Sequence, residues 1–307
     1  MSTVQKLDGI YNDARYWERV NRSLCWLGEG DPAQRDAQLK LSNATVGIAG
    51  CGGIGGALVP RLARLGVRHL KIADPDTFDW SNINRQFGAG KTTIGKNKAE
   101  VVGHLVWEMT DDVTIEIFRD GITEQNAAEF VEGCDLVLDQ MDFYLLRPRY
   151  ALHKEFRARR NIKCIVSAWC IGWGTSLFKY THDSMPIEEY FDIPADARMD
   201  EATIIKLMSK FIPREPRFPS REQLIEWFVR RRTVPLFAGT PPIAEGAAVQ
   251  RVVLILIDKE HEPYATPLPP APACYFYDGA SFEGGFLQVT SMHRGFRTDS
   301  PHRVAAE

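Results

Sequence analysis

One stretch constrains this chain more than any other. The apolar run Thr45-Val46-Gly47-Ile48-Ala49 reads as a buried strand and leads directly into Gly50-Cys51-Gly52-Gly53-Ile54-Gly55, a GxGxxG match. A helical stretch over 57–65 follows, ended by Gly66, and His69-Leu70-Lys71-Ile72-Ala73 reads as the next strand. Strand, glycine turn, helix and strand within about 30 residues make a βαβ unit, the repeating element of parallel α/β sheets. In that setting backbone N–H groups at the positive end of a helix can hold phosphate oxygens. The same glycines also serve close helix–strand packing, so the motif alone leaves both roles open. Asp74 lies 24 residues after Gly50, at the tip of the second strand, where a carboxylate accepts hydrogen bonds from ribose hydroxyls. A nucleotide is indicated without saying which, and a nicotinamide-dependent dehydrogenase would rest on the glycines alone.

Further strands are expected at 113–118, 136–139 and 163–167, with helices at 96–109, 124–132 and 146–159. This alternation predicts an α/β fold, a doubly wound, mainly parallel Rossmann-like sheet with helices on both faces. Residues 1–40 read as an N-terminal helical segment, 41–182 as a nucleotide-binding core, and 183–233, broken by prolines, as a helical insert or lid with helices at 200–211 and 220–231. Ser220 with Gln223 reads as a capping box for the second of these. Residues 234–307 complete the domain with an apolar helix at 243–257 and short strands at 275–277 and 286–289, and the last dozen residues read as a loose tail.

Composition removes several functions. Lys and Arg number 37 against 40 Asp and Glu, for a formal net charge of −3, whereas nucleic-acid or anionic-membrane binders usually carry a basic excess. Neither partner is expected. The longest apolar runs, such as the six residues 252–257, fall far short of the roughly 20 needed to cross a bilayer. Without a secretion signal at the N-terminus, a cytoplasmic location is expected. The cysteines at 25, 51, 134, 164, 170 and 274 contain no CxxC pair, and the histidines show no HxxxH or HxH spacing, so no zinc is expected.

The residues after Asp74 decide among nucleotides. The run Asp74-Pro75-Asp76-Thr77-Phe78-Asp79-Trp80-Ser81-Asn82-Ile83-Asn84-Arg85-Gln86-Phe87 is followed by Gly95-Lys96-Asn97-Lys98, and a later strand ends in Asp139-Gln140-Met141-Asp142. This set resembles the signature of the ThiF-type adenylyltransferases, the superfamily that includes ubiquitin-activating enzymes and their bacterial relatives. The resemblance implies ATP at Gly50, Gly52, Gly53, Gly55, Asp74 and Asp76, with Asp74 on the ribose. It implies that Asn82 and Arg85 approach the triphosphate, that Gln86 positions their loop, that Lys98 contacts phosphate and that Asp142 holds Mg²⁺. Charge agrees with this: attack on the α-phosphate of ATP builds negative charge on pyrophosphate, which Arg and Lys must hold.

Upstream, Arg19-Val20-Asn21-Arg22-Ser23-Leu24 is similar to the family's RYxRQ element, although Val and Ser replace the usual Tyr and Gln. In homodimeric members that element sends an arginine to the partner's nucleotide, so the resemblance implies a homodimer with Arg22 acting in trans. Residues 165–175 are similar to the family's strand and glycine turn beside the acyl substrate, and 242–250 to its late helix. Two features depart from the family. The paired CxxC zinc ligands of many relatives are missing, and no cysteine lies between Asp183 and Ile257, where ubiquitin-type activators place a thioester-forming thiol. Cys170 reads as a buried, inert thiol and Cys51 as simply small.

The expected reaction is ATP-dependent adenylation of a carboxylate, giving an acyl-adenylate and pyrophosphate, with a peptide or small-molecule acid as substrate. The alternatives are activation of the C-terminus of a small ubiquitin-like or sulfur-carrier protein, and a nucleotide-binding scaffold without activity. Five arginines at 214, 217, 230, 231 and 232 offer either a grip on an acidic substrate or a solvated basic helix end.

Overall fold

The computed structural model describes residues 4–289 except 213, 215 and 217; the expected tail and Arg217 lie outside the described residues. The strands are β1 (Val4–Leu7), β2 (Thr45–Ala49), β3 (His69–Ala73), β4 (Thr114–Phe118), β5 (Leu136–Asp139), β6 (Ile165–Ile171), β7 (Gly174–Tyr180), β8 (Ala273–Asp278) and β9 (Glu283–Gln288). They form one sheet in the order β1-β4-β3-β2-β5-β6-β7-β8-β9. From β4 to β6 neighbours are parallel, while β1 and the run from β7 to β9 add antiparallel strands at the two edges. The chain leaves β2 toward β3 and returns on its other side as β5. A crevice for ligands opens where the winding reverses, beyond the carboxyl ends of the strands.

The parallel strands are apolar on both faces, as burial between two helical layers demands. Val46, Ile48, Leu70, Ile72, Ile115 and Ile117 face one core, closed by α2 (Asp31–Asn43), α3 (Gly55–Arg64), α4 (Lys98–Thr110) and α10 (Pro241–Leu256). Ala49, Ala73, Phe118, Val137 and Ile165 face the other, closed by α5 (Ala127–Val131), α6 (Leu146–Arg157), α7 (Ile187–Phe191) and α8 (Glu201–Phe211). The helix α1 (Asp13–Leu24) lies at the far end of α3, where Arg19 donates to the carbonyls of Ala63 and Arg64.

Three elements differ from the sequence expectation. The segment expected to be wholly helical begins with β1, whose polar Val-Gln-Lys-Leu is held by backbone pairing with β4. The expected glycine turn after β6 is the tip of a hairpin, and its second arm is the buried strand β7. The expected helix at 220–231 starts as α9 (Arg221–Ile225), capped by Ser220 through the N–H of Gln223, and continues as a π-helical turn, Glu226–Arg230. The 183–233 stretch is packed on the second core: Phe211 lies 3.8 Å from the Trp169 ring and 5.4 Å from that of Phe143. No helix among the described residues is long and apolar enough to cross a membrane.

Candidate active site

The glycine loop leaves β2 at Gly50, whose φ of +104° is a conformation L side chains rarely adopt. A Cβ there would stand 2.2 Å from the Gln140 carbonyl oxygen, and one at Gly55 would stand 2.0 Å from that of Gly50. These two glycines are fixed by backbone packing. Gly52 and Gly53 are different: a Cβ at Gly52 meets nothing within 4 Å, and at Gly53 its nearest neighbour is the Arg85 side chain at 3.7 Å. Both line an open cleft. Among the described hydrogen bonds none is donated by the N–H of Gly52, Gly53, Ile54 or Gly55, so the start of α3 presents free donors and the positive end of its dipole.

Asp74 lies buried at the end of β3. Its carboxylate accepts from the N–H of Cys51 at 2.6 Å and of Asp76 at 2.9 Å. Burial raises its pKa, and Lys98 and the two N–H donors oppose the rise. Lys98, at the first position of α4, pairs with Asp76 at 3.0 Å. Asn97 holds this corner together: it caps α4 at the N–H of Glu100 and donates to the carbonyls of Asp74, Asp76 and Arg119. Its role had no spacing signal beyond standing before a helix.

Arg85 reaches over the glycine loop, with Nη1 on the Ser81 carbonyl at 3.2 Å and on Asn84 at 2.9 Å. Its Nε is buried without a partner. Burial draws this guanidinium below its ordinary value, with Asp79 opposing, so the cation lacks a full counter-charge. Gln86 lines the cleft with Oε1 unpartnered. Asn82 is not among the cleft-lining residues. Its side chain accepts from the N–H of Asp79 at 3.1 Å and so closes the short 3₁₀ turn Trp80–Asn82 that aims Arg85.

The loop after β5 carries Gln140 and Asp142 into the same cleft. Asp142 is exposed and accepts from the N–H of Tyr144 at 3.2 Å. Asp139, in contrast, is buried against Arg149 at 2.8 Å and His153 at 3.3 Å. Burial alone would push the Asp139 carboxyl up, but Arg149 and His153 overcome it and hold it below the usual carboxylate range. Burial lowers the His153 pKa, which makes it a neutral imidazole whose Nε2–H donates to the carboxylate. Arg149 and His153 were not singled out in the sequence, although they stand one helical turn apart on α6.

The cleft measures about 880 Å³ and continues past Asp142 to a second end walled by Tyr144, Ala168, Trp169, Cys170 and the 232–236 segment. Burial pushes the Cys170 thiol up to about 12, so it is protonated at neutral pH. Of the arginines in the 183–233 stretch, Arg214 pairs with Glu283, and Arg230 and Arg231 pair with Glu226. Arg232 lines the cleft. Arg22 is exposed and is not among the residues lining the cleft of its own chain.

These groups fit a nucleoside triphosphate: free loop N–H groups, an open face at Gly52, and the orphaned polar atoms of Arg85, Gln86 and Gln140. Among the described residues no three His, Cys, Asp or Glu side chains converge to hold a metal. Asp142 alone suits Mg²⁺, which takes one or two carboxylates and fills its other positions with phosphate oxygens and water.

Comparison with known proteins gives the family. A profile for the ThiF family matches residues 29–294. The chain belongs to the ThiF family. Among its relatives are a tRNA threonylcarbamoyladenosine dehydratase of Haemophilus influenzae, 36% identical over 108 residues (35% of this chain, 41% of the relative), and the SAMP-activating enzyme E1 of Haloferax volcanii, 30% identical over 135 residues (44% and 48%). This ThiF chain thus matches less than half the length of these curated relatives. Two solved structures share its fold. PaaA has a TM-score of 0.65 at 17% identity, covering 91% of this chain and 75% of that one. Escherichia coli MccB, solved with MccA-N7isoASN, has 0.64 at 17% identity, covering 93% and 73%.

Proposed function

We propose that this ThiF-family chain adenylates a carboxylic acid with ATP, and that the acid is a peptide or a small molecule. One observation carries the reading: a single cleft joins the free N–H groups of the glycine loop, the under-compensated Arg85, Lys98 and the exposed Asp142 to walls formed by Trp169 and Tyr144. A dehydrogenase needs no such second layer of cations. Support also comes from the fold neighbour MccB, which has been solved with ATP and with MccA.

In this reading Asp74 accepts from the ribose and the loop N–H groups bind phosphate oxygens. A carboxylate is already ionised at pH 7, so no general base is required. Its oxygen attacks the α-phosphorus in line, the new C–O–P bond forms, and the bond from that phosphorus to the bridging oxygen breaks and releases pyrophosphate. Arg85 and Lys98 hold the charge that grows on the leaving group, and Asn82 supports Arg85 from behind. Asp142 would hold a Mg²⁺ ion, which would supply further neutralisation of the phosphates. With Cys170 protonated, a nucleophile from outside the chain consumes the adenylate. Arg22 serves the cleft of a second copy in a homodimer.

The test is ATP–pyrophosphate exchange dependent on an added acid. Wild type exchanges, and Asp142→Ala and Arg85→Ala, shown folded by circular dichroism, lose roughly a hundredfold or more. A protein that binds ATP but exchanges with no acid is a scaffold. Saturable NAD binding without ATP binding would make it a dehydrogenase.

A further inference from the structure

Behind the cleft, Arg149 has no exposed side-chain surface and is not among the residues lining the cleft. Its Nε donates to Asp139 at 2.8 Å. Its Nη2 donates to the carbonyls of Met141 at 2.8 Å and Asp142 at 3.1 Å, and its Nη1 to that of Leu145 at 3.2 Å. Four bonds from one planar fork therefore wrap the loop that presents the Asp142 carboxylate. The fork lies over an aromatic pair on one side, 5.2 Å from the Trp169 ring and 5.1 Å from the Phe211 ring, the two rings themselves 3.8 Å apart. Trp169 is fixed in turn, donating from Nε1 to Ser167, whose hydroxyl donates to the Asp139 carbonyl.

A buried guanidinium needs a counter-charge, and the Asp139 carboxylate provides it. The remaining donors did not have to go to this loop. Satisfying three carbonyls of one short turn fixes the turn's shape, and with it the direction of the Asp142 side chain. Such outer contacts set a ligand's orientation without touching the ion, and losing them characteristically weakens metal binding by roughly ten- to a hundredfold.

We propose that Arg149 is a positioning residue: it sets the Asp142 loop so that a divalent cation on the nucleotide meets a pre-aimed carboxylate. The proposal rests on the adenylation reading for the presence of a metal–nucleotide complex in the cleft. A lysine at this position keeps the charge beside Asp139 but cannot fork across the carbonyls.

The experiment is calorimetric titration of ATP with and without Mg²⁺, without any acid. Wild type gains affinity from Mg²⁺. Arg149→Lys binds magnesium-free ATP as wild type does and loses roughly tenfold or more of that gain. His153→Gln, which touches Asp139 but none of the loop carbonyls, keeps the gain. Should Arg149→Lys not fold, the double variant Asp139→Asn/Arg149→Gln, which leaves no unpaired buried charge, is expected to lose the same gain. Full retention of the gain overturns the proposal, as does an equal loss of magnesium-free affinity, which would mark a general packing role. Wild-type protein that binds no ATP, or gains nothing from Mg²⁺, fails the adenylation reading itself and is told apart by that control.

Discussion

A methyl group added at Gly50 would press on the Gln140 carbonyl, whereas one added at Gly52 would enter open space in the cleft. Gly50→Ala is therefore expected to lower folding stability by about 1–3 kcal/mol in denaturant melts, because both φ and packing oppose it. Gly52→Ala keeps the melting temperature and weakens ATP binding in titration, its methyl standing where a phosphate approaches. Asp139 gives a second contrast. Asp139→Asn breaks a buried pair and costs about 3–5 kcal/mol at neutral pH. The folded carboxyl titrates below its ordinary value, so its stabilisation is complete above that value and lost as pH falls through the folded one. The gap between variant and wild type in pH-dependent melts accordingly closes below about pH 4. That Gly50, Gly52, Gly53, Asp74, Arg85, Lys98 and Asp142 belong to one cleft was legible because they stand at fixed spacing in a motif. Arg149, His153 and Asn97 were not: each acts on backbone or buried partners that only the folded loop brings near.

The elements divide along the same line. Strands β2 to β5 were readable because burial on both faces makes them continuous apolar runs between glycines and charges. β1 was not readable, since a polar four-residue edge strand is stabilised by main-chain pairing that leaves no pattern in side chains. β7 was hidden because its first residues complete a glycine turn and its pairing is with β6 and the distant β8. Between α3 and α10 one ion pair joins two helices 184 residues apart: Arg61 meets Glu245 at 2.9 Å, the glutamate being buried. Burial raises the Glu245 pKa and Arg61 opposes the rise. Arg61→Ala strands this carboxylate and is expected to cost about 1–3 kcal/mol at pH 7. The deficit shrinks on acidification, because a carboxyl whose folded pKa lies above its unfolded value is relieved as it takes up its proton. Melts of the variant across pH check both size and sign.

For the whole molecule, the fold brings every proposed nucleotide contact except Arg22 to one end of the parallel strands. If Arg22 serves a second copy, Arg22→Ala and Asp142→Ala proteins are each inactive alone and recover exchange when mixed and allowed to reassociate. Mixing that restores nothing, or a gel-filtration mass equal to one chain, removes the trans role. The sheet itself has a seam between β6 and β7, where parallel pairing gives way to antiparallel. On one side lie the loops proposed to hold the part of the ligand common to every turnover; the other side is reached through a hairpin tip and the 183–233 crossover. Mutations there can reshape what is recognised without disturbing the machinery proposed to energise it, so a change of acid is expected to begin at Arg232 and the 233–236 residues beside it long before it touches Arg85.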